Sequence, residues 1–282
     1  MASLLDSARA WVDRIHLNVS SPGERAGRPV LVKRRRPMAW LVMQLANAFF
    51  RLARNPVRAI AGAAEWRGWE EECFRRLHGP NFAAGRDADG TLWVEWLPGV
   101  SLSRLLAAGT LRPVHLAAAG AELRRAHAVP CAYHGSGWSH GDAHTGNFIF
   151  EAATGRARLI DFEVRHLRRL PESQRHADDL LVMLQDVSGR CPAEAWLPLA
   201  GAFLEGYDGP EIVALLGERL HVPRGIPRLW WAVRTTWMPR AELERRLAAL
   251  RSRRREEARA LCQECDGRPP HPPSALAATI HS

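Results

Sequence analysis

One short stretch constrains the fold more than any other part of the sequence. Residues 139–150, SHGDAHTGNFIF, place a polar loop directly before an apolar strand, and residues 159–163, LIDFE, form a second strand after a glycine-containing turn. Two strands joined by such a turn predict a hairpin. The hairpin would bring Asp142, Asn147 and Asp161 together at one end of its two strands.

These three side chains suit one kind of chemistry. A carboxylate and an amide supply oxygen ligands to Mg²⁺, which keeps several water molecules and bridges the phosphates of ATP. A separate carboxylate can orient or deprotonate an acceptor hydroxyl. The pattern therefore favours Mg²⁺-assisted phosphoryl transfer.

The order H-G-D-x-H-x-x-N followed by I-D-F resembles the catalytic and metal-binding loops of the protein-kinase-like phosphotransferase superfamily. The resemblance is strongest to its bacterial atypical branch: lipopolysaccharide (Kdo/heptose) kinases, aminoglycoside and choline phosphotransferases, RIO kinases and the small kinase of the KEOPS complex. It implies that Asp142 is the catalytic base, that Asn147 and Asp161 hold the metal, and that His140 packs the catalytic loop. A lone histidine without metal-ligand neighbours favours a loop-bracing role for His144.

Further segments resemble the same superfamily in the correct order. Val30–Lys33 is similar to the strand whose lysine holds the α- and β-phosphates of ATP, and Lys33 is the only lysine in the chain. Glu70 lies on a predicted helix similar to the one whose glutamate pairs with that lysine. Glu71 and Glu72 are adjacent alternatives for this pairing.

Two more features extend the resemblance, which covers roughly residues 28–185. Val94–Leu102 is similar to the hinge between the two lobes of the superfamily. This similarity implies that backbone groups near Glu95 and Leu97 bind adenine. Asp179 is similar to the aspartate that braces the catalytic loop from a following helix.

Three features depart from the superfamily's pattern. No glycine-rich phosphate loop precedes Lys33, because residues 21–27 favour a turn-rich loop with only two glycines. Glu163 stands where the superfamily usually has glycine. A helix predicted over residues 38–54 is inserted between Lys33 and Glu70.

The resemblance implies an α+β, two-lobed protein-kinase-like fold. Residues 1–95 would form a small strand-plus-helix N-lobe with a helix over 58–77, and residues 96–265 a mainly helical C-lobe. The Pro- and His-rich residues 266–282 predict a flexible tail. The cleft between such lobes is a natural ligand site.

Charge and cysteine content bound the partners and the compartment. Lys and Arg outnumber Asp and Glu by 39 to 30, a net charge of +9, which favours anionic partners. Five scattered cysteines indicate a reducing compartment. The longest apolar stretch, residues 38–50, is interrupted by polar residues and is shorter than the roughly 20 residues that a membrane span needs. We therefore expect a cytoplasmic protein, with peripheral contact on the inner face of the cytoplasmic membrane.

The helix over residues 38–54 has two interpretations. It either packs its apolar face on the N-lobe or lies in the membrane interface, with Trp40, Phe49 and Phe50 in the lipid boundary. The cations that would then face anionic headgroups are Lys33–Arg36, Arg51, Arg54 and Arg58.

The expected function is that of a kinase that uses ATP and Mg²⁺ and moves the γ-phosphate to a hydroxyl. The positive charge favours an anionic acceptor, and the resemblance suggests a lipopolysaccharide or other saccharolipid sugar at the cytoplasmic membrane face. Two alternatives stay open: a protein- or tRNA-linked kinase or ATPase of the KEOPS-kinase type, and a nucleotide-binding pseudokinase scaffold. Nucleic acid is the less favoured partner, because arginine runs are more often solvated faces than nucleic-acid patches.

Overall fold

Strands form early in the chain, where apolar and β-branched residues recur between turn signals. The structure is a computed structural model that describes residues 18–266, with side chains described as far as residue 257. The first elements, in chain order, are β1 (Asn18–Arg25), β2 (Arg28–Arg35), α1 (Ala39–Leu52), β3 (Val57–Ala59), α2 (Ala63–His78), β4 (Ala84–Arg86) and β5 (Leu92–Glu95). Four of these strands form an antiparallel sheet in the order β1-β2-β5-β4.

Strand β1 corrects the prediction that residues 21–27 form a loop. Pro22 suggested a turn, yet it pairs with Leu31 in an antiparallel ladder that runs the whole length of β1. Because β1 lies at the sheet edge, a residue without an N–H is tolerated there. The turn itself is confined to Ala26 and Gly27, which adopt φ values of 50° and 75°. A tight hairpin therefore precedes Lys33.

Helix α1 lies within two residues of the predicted bounds, and one of its faces packs on the protein. The Asn47 side chain donates to the Ala59 carbonyl at 2.9 Å and accepts from the Ala59 N–H at 2.8 Å. The Phe50 ring is buried and meets Trp230 edge-on at 5.0 Å. The membrane-interface interpretation is therefore wrong for Phe50, which packs on the protein as the other interpretation predicts. Lys33 is also buried, so it does not face headgroups.

Helices form most of the rest of the structure. The later elements are β6 (Val100–Ser101), α3 (Leu102–Ala107), α4 (Pro113–His127), β7 (Pro130–Cys131), β8 (Ser136–Gly137), β9 (Phe148–Glu151), β10 (Arg156–Leu159), β11 (Val164–His166), α5 (Glu172–Arg190), α6 (Trp196–Tyr207), α7 (Pro210–Arg219), α8 (Pro227–Arg234) and α9 (Arg240–Asp266). The fold is thus mixed α/β, with a small sheet region and a helical part. Except for Asp266, the tail predicted over residues 266–282 lies outside the described residues.

The hairpin predicted from the motif is present. Strands β9 and β10 pair antiparallel, with Phe148 opposite Leu159, and β6 adds a third strand. A 3₁₀ turn over Thr145–Asn147 leads into β9. One predicted helix is shorter than expected: α2 begins at Ala63, because Arg58 belongs to β3, which pairs with β11.

The core of the structure is shared by the sheet region and the helical part. One apolar cluster extends from Trp66 on α2 through the β9–β10 hairpin to Leu250 on α9. A smaller cluster lies under α1. Within residues 18–266, no helix combines the length and apolar character that crossing a membrane requires.

Candidate functional site

A cleft of about 600 Å³ lies between the four-stranded sheet and the β9–β10 hairpin. Its lining includes every residue that the sequence predicts for cofactor and metal binding: Lys33, Glu95, Leu97, Asn147 and Asp161. A volume of this size is typical of small-molecule sites. The fold therefore gathers the predicted binding residues into one cavity.

Lys33 is held between two carboxylates. Its ammonium group forms a buried ion pair with Glu70 of α2 and lies 3.1 Å from Oδ1 of Asp161. Burial opposes the charge on the amine, but Asp161, Glu70 and then Glu163 outweigh this effect, so the pKa of Lys33 is raised. Lys33 therefore presents a fixed positive charge to the cleft.

Glu70, and neither of its neighbours, is the partner of Lys33. Successive residues of a helix point about 100° apart, so only one of three adjacent glutamates can face β2. Glu71 pairs with Arg75 at 3.0 Å and with Arg86 at 2.7 Å, while Glu72 is exposed. The choice among the three glutamates, which the sequence left open, falls on Glu70.

Asp161 and Asn147 present oxygen atoms near Lys33. Asp161 has a φ of 66°, a left-handed conformation that residues other than glycine rarely adopt, and its carboxylate is partly exposed to the cleft. The Asn147 side-chain amide donates to the Asp142 carbonyl at 2.8 Å, which leaves its oxygen for another partner. The Ile160 N–H donates to the Asn147 carbonyl at 3.0 Å and so joins the two loops.

The donor set fits a hard, oxygen-binding cation. Within the described part of the chain, no group of three or more His, Cys, Asp or Glu side chains could hold a metal by itself. Mg²⁺ does not require such a group, because it is commonly bound by one or two protein oxygens together with phosphates and waters. Asp161 and Asn147 provide such a pair beside the Lys33 charge.

Asp142 lies at the start of the motif loop, where Arg234 of α8 contacts it. The Arg234 guanidinium donates to Oδ1 of Asp142 at 2.5 Å, and Nε2 of His144 lies 3.8 Å from Oδ2. Burial opposes ionisation of Asp142, but the charge of Arg234 and its hydrogen bond outweigh this effect, so the pKa of Asp142 is lowered. The carboxylate is therefore ionised at neutral pH and can accept a proton or a hydrogen bond.

The supporting residues fix the shape of this loop. The Asp179 carboxylate accepts hydrogen bonds from the N–H groups of His140 and Gly141, both at 2.7 Å. The His140 ring donates from Nε2 to the Ile160 carbonyl at 3.1 Å, and its Nδ1 accepts from the Asp142 N–H at 3.3 Å. Burial lowers the pKa of His140, so the ring is neutral and keeps these two opposite roles. Both residues lie where the sequence predicts supporting groups.

His144 also has a local structural contact. Its Nδ1 accepts a hydrogen bond from the Gly146 N–H at 3.0 Å, which closes the turn that leads to Asn147. This contact is consistent with the loop-bracing role that the sequence favours for this histidine.

In the segment predicted to bind adenine, the hydrogen-bonding state of the backbone differs between Glu95 and Leu97. The Glu95 N–H already donates to the Ala83 carbonyl at 2.7 Å, which restricts any ligand contact of its backbone to the carbonyl oxygen. Leu97 lines the cleft, and within residues 18–266 neither its N–H nor its carbonyl has a hydrogen-bond partner. Leu97 is thus the residue of this segment that can pair with the edge of a ring.

Three site residues were not predicted from the sequence. Arg234 lies 92 positions from Asp142, and no local pattern links the two. Glu163 lines the cleft and accepts a hydrogen bond from Asn18; burial and the Asp161 charge raise the pKa of Glu163 to about 8. Asp186 accepts from the N–H and hydroxyl of Thr145, at 3.0 and 2.5 Å. A spacing of seven from Asp179 on one helix face could have indicated Asp186.

Comparisons with known proteins add little to this geometry. No protein-family model matches the chain, and no curated protein matches it. One solved structure with detectable similarity is described as the complex of Rv3197 with erythromycin from Mycobacterium tuberculosis. It is 18% identical, covers 65% of this chain and 51% of its own, and has a TM-score of 0.36. The match thus spans about half the length of that chain, and similarity at this level does not identify a family.

Proposed function

We propose that the chain is an ATP-dependent phosphotransferase, a kinase that moves the γ-phosphate of ATP to a hydroxyl. The observation that carries the proposal is the convergence of Lys33, Asn147 and Asp161 in one cleft, where the Asn147 amide donates a hydrogen bond to the backbone carbonyl of Asp142. In this proposal the sheet region is the N-lobe, the helical part is the C-lobe, and nucleotide binds between them.

Lys33 would bind the α- and β-phosphates of ATP. A primary ammonium is a compact point charge with three donors, so it can contact phosphate while it keeps its ion pair with Glu70. Glu70 acts through Lys33, because it is fully buried and does not reach the cleft. Leu97 would bind the adenine edge with its free backbone groups.

Asp161 and Asn147 would hold Mg²⁺ with one carboxylate and one amide oxygen. Bound Mg²⁺ would neutralise charge that develops on the phosphates during transfer. The left-handed backbone at Asp161 aims its carboxylate at the cleft, and the Ile160–Asn147 hydrogen bond keeps the two ligands in register.

Asp142 would orient the acceptor hydroxyl and accept its proton. Its carboxylate is ionised, and the loop that carries it is fixed by Asp179 and His140. Arg234 occupies one carboxylate oxygen, while the side chain as a whole keeps 28% of its surface exposed. An acceptor that carries its own anionic group could draw the Arg234 guanidinium to itself. This arrangement supports an anionic acceptor, and we propose a saccharolipid sugar.

Turnover of ATP tests the proposal. Purified protein with Mg²⁺ is assayed for ATP consumption with and without a cell-envelope lipid extract, beside Asp142→Ala and Asp161→Ala. We expect extract-stimulated turnover that falls by at least about 10²-fold in both variants, since each removes a group needed in the transition state. Asp87→Asn, which breaks a surface ion pair with Arg25, is the matched control and should keep full activity. Equal turnover in wild type and both site variants would contradict the proposal.

A second candidate is a nucleotide-binding scaffold without catalytic turnover. The contact of Arg234 with Asp142 at 2.5 Å favours it, because the guanidinium occupies an oxygen that a catalytic base needs. The scaffold predicts Mg²⁺-dependent ATP binding with no turnover under any extract, and no gain of turnover in Arg234→Ala. Extract-stimulated phosphotransfer by the wild type would exclude it.

A further inference from the structure

Helix α1 has an outer face that no part of residues 18–266 covers. Met38, just before the helix, and Leu41, Leu45 and Leu52 on it are each between 41% and 64% exposed. Their spacing of three, four and seven places them on one stripe of a helix. Trp40, at the start of the helix, is 57% exposed and lies about 100° round the helix from Leu41, at the edge of this exposed face. Few soluble surfaces expose this many large apolar side chains in a row.

The surroundings of this stripe carry charge of one sign. Residues 25–64 contain nine Lys and Arg residues and no Asp or Glu. Within the described part of the chain, Arg36, Arg51 and Arg54 form no ion pair. These three cations flank an apolar stripe without a carboxylate of the protein to neutralise them.

A second cavity lies at the start of α1, on the same side as Trp40. It has a volume of about 520 Å³, and four arginines contribute to its walls: Arg34, Arg35, Arg36 and Arg67. The one carboxylate in its lining is Asp89, which lies 3.8 Å from Arg34. Guanidinium groups bind phosphate oxygens in pairs, so this cavity suits a phosphate-bearing headgroup.

We propose that the outer face of α1 and the adjoining arginine cavity form a docking surface for an anionic phospholipid membrane. The apolar stripe would lie in the interface with the helix parallel to the bilayer, Trp40 would lie at headgroup depth, and the arginines would contact lipid phosphates. A nucleic acid would match the charge but would leave the apolar stripe exposed to water. The combination of stripe, tryptophan and unneutralised arginines fits a lipid surface best.

This docking surface can be tested apart from the proposed phosphotransfer, because among the described residues it shares only the buried Lys33 with the lining of the nucleotide cleft. Binding is therefore measured without nucleotide, by flotation of the purified full chain with phosphatidylcholine vesicles that contain or lack phosphatidylglycerol. We expect binding to the phosphatidylglycerol vesicles only, weakened by added salt because exposed charges are screened.

Two paired variants separate the contributions. Leu41→Ser with Leu45→Ser should weaken vesicle binding by about tenfold or more, since the bilayer can no longer bury these two leucine side chains. Arg36→Gln with Arg54→Gln should weaken it and reduce its salt dependence. Val114→Ser, at another exposed apolar residue, and Arg156→Gln with Arg255→Gln, which remove the same charge elsewhere, should bind as the wild type does.

Three results would overturn the proposal. One is equal binding to vesicles with and without phosphatidylglycerol. Another is an equal change of vesicle binding in the Leu41→Ser with Leu45→Ser variant and in the Val114→Ser control. The third is the absence of binding to the phosphatidylglycerol vesicles. A dimer that Leu41→Ser with Leu45→Ser dissociates would then show that this face is a contact between two copies of the chain.

Discussion

At the scale of single residues, the site depends on charges that are buried in pairs. Lys33 is 6% exposed and Glu70 is fully buried, so neither has water to replace a lost partner. Asp161 adds a second carboxylate at 3.1 Å and faces the cleft. Arginine occupies every other Lys or Arg position of the chain. Here the compact ammonium of a lysine contacts two carboxylates at one point, whereas a guanidinium would present its donors as a wider planar fork.

Removing Lys33 alone should destabilise the fold. We expect Lys33→Met to lower the free energy of unfolding by about 3–5 kcal/mol, because Glu70 is left buried without its counter-charge. Lys33→Met combined with Glu70→Met should recover most of that loss, since an apolar pair of similar volume replaces the ion pair. Urea denaturation measures both variants.

Nucleotide binding distinguishes the stabilising role of Lys33 in its ion pair with Glu70 from its proposed role in binding phosphate. The double variant, although stable again, should bind ATP far more weakly than the wild type, because no cation remains for the phosphates. The control is Glu72→Gln, which loses one half-exposed ion pair with Arg76 and should change stability by at most about 1 kcal/mol. A double variant that is no more stable than Lys33→Met, or that binds ATP normally, would contradict this account.

At the scale of elements, those formed by signals within their own residues could be predicted from the sequence. Elements and contacts that depend on residues far away in the sequence could not. The β9–β10 hairpin and α1 follow from strand, turn and helix patterns within the segments themselves. Strand β3 was missed because three residues have no pattern of their own and are held by β11, more than 100 positions later. Arg234 was missed for the same reason, since only the packing of α8 brings it to Asp142.

Helices α4 and α6 lie close together where each has a glycine facing the backbone of the other. A Cβ atom at Gly120 of α4 would lie 2.2 Å from the Phe203 carbonyl oxygen, and one at Gly206 of α6 would lie 2.2 Å from the Ala117 carbonyl oxygen. Backbone cannot move aside as a flexible side chain can. The close contact of α4 with α6 therefore depends on both glycines.

Gly120→Ala should destabilise the protein by about 1–3 kcal/mol, because the added methyl group forces the two helices apart. Gly217→Ala on α7 is the matched control: no atom lies within 4 Å of its added Cβ, and alanine favours a helix by about 1 kcal/mol over glycine. Thermal and urea unfolding should thus shift in opposite directions for the two variants. Equal stabilisation by both would show that the α4–α6 contact is looser than the structure has it.

At the scale of the whole molecule, buried histidines should make the fold sensitive to acid. Burial lowers the pKa values of His78, His134 and His176 to about 3. The His176 ring stacks on His127 with centroids 3.8 Å apart and donates from Nε2 to the Trp138 carbonyl at 3.0 Å. For His176, the charge that His127 would carry lowers the pKa further and Asp179 opposes it. The folded protein therefore keeps these rings neutral.

The sign of the pH effect follows from which state binds more protons. An unfolded histidine titrates near 6.5 and His176 in the folded protein near 3, so between these values the unfolded state binds the extra proton. Stability should be complete above pH 6.5 and fall as the pH drops towards 3. From pH 7 to pH 5, His176 alone should lower the free energy of unfolding by about 2 kcal/mol.

His176→Gln tests this contribution, because a glutamine amide can still donate to the Trp138 carbonyl but does not titrate. The variant is less stable at pH 7, since the stacked ring is lost, yet its stability should fall less steeply between pH 7 and pH 5 than that of the wild type. His221→Gln, at an exposed histidine, should leave the slope unchanged. Urea denaturation at a series of pH values measures all three proteins. Parallel pH curves for wild type and His176→Gln would mean that His176 is not held neutral by the fold, and the acid sensitivity would then have to arise from other groups.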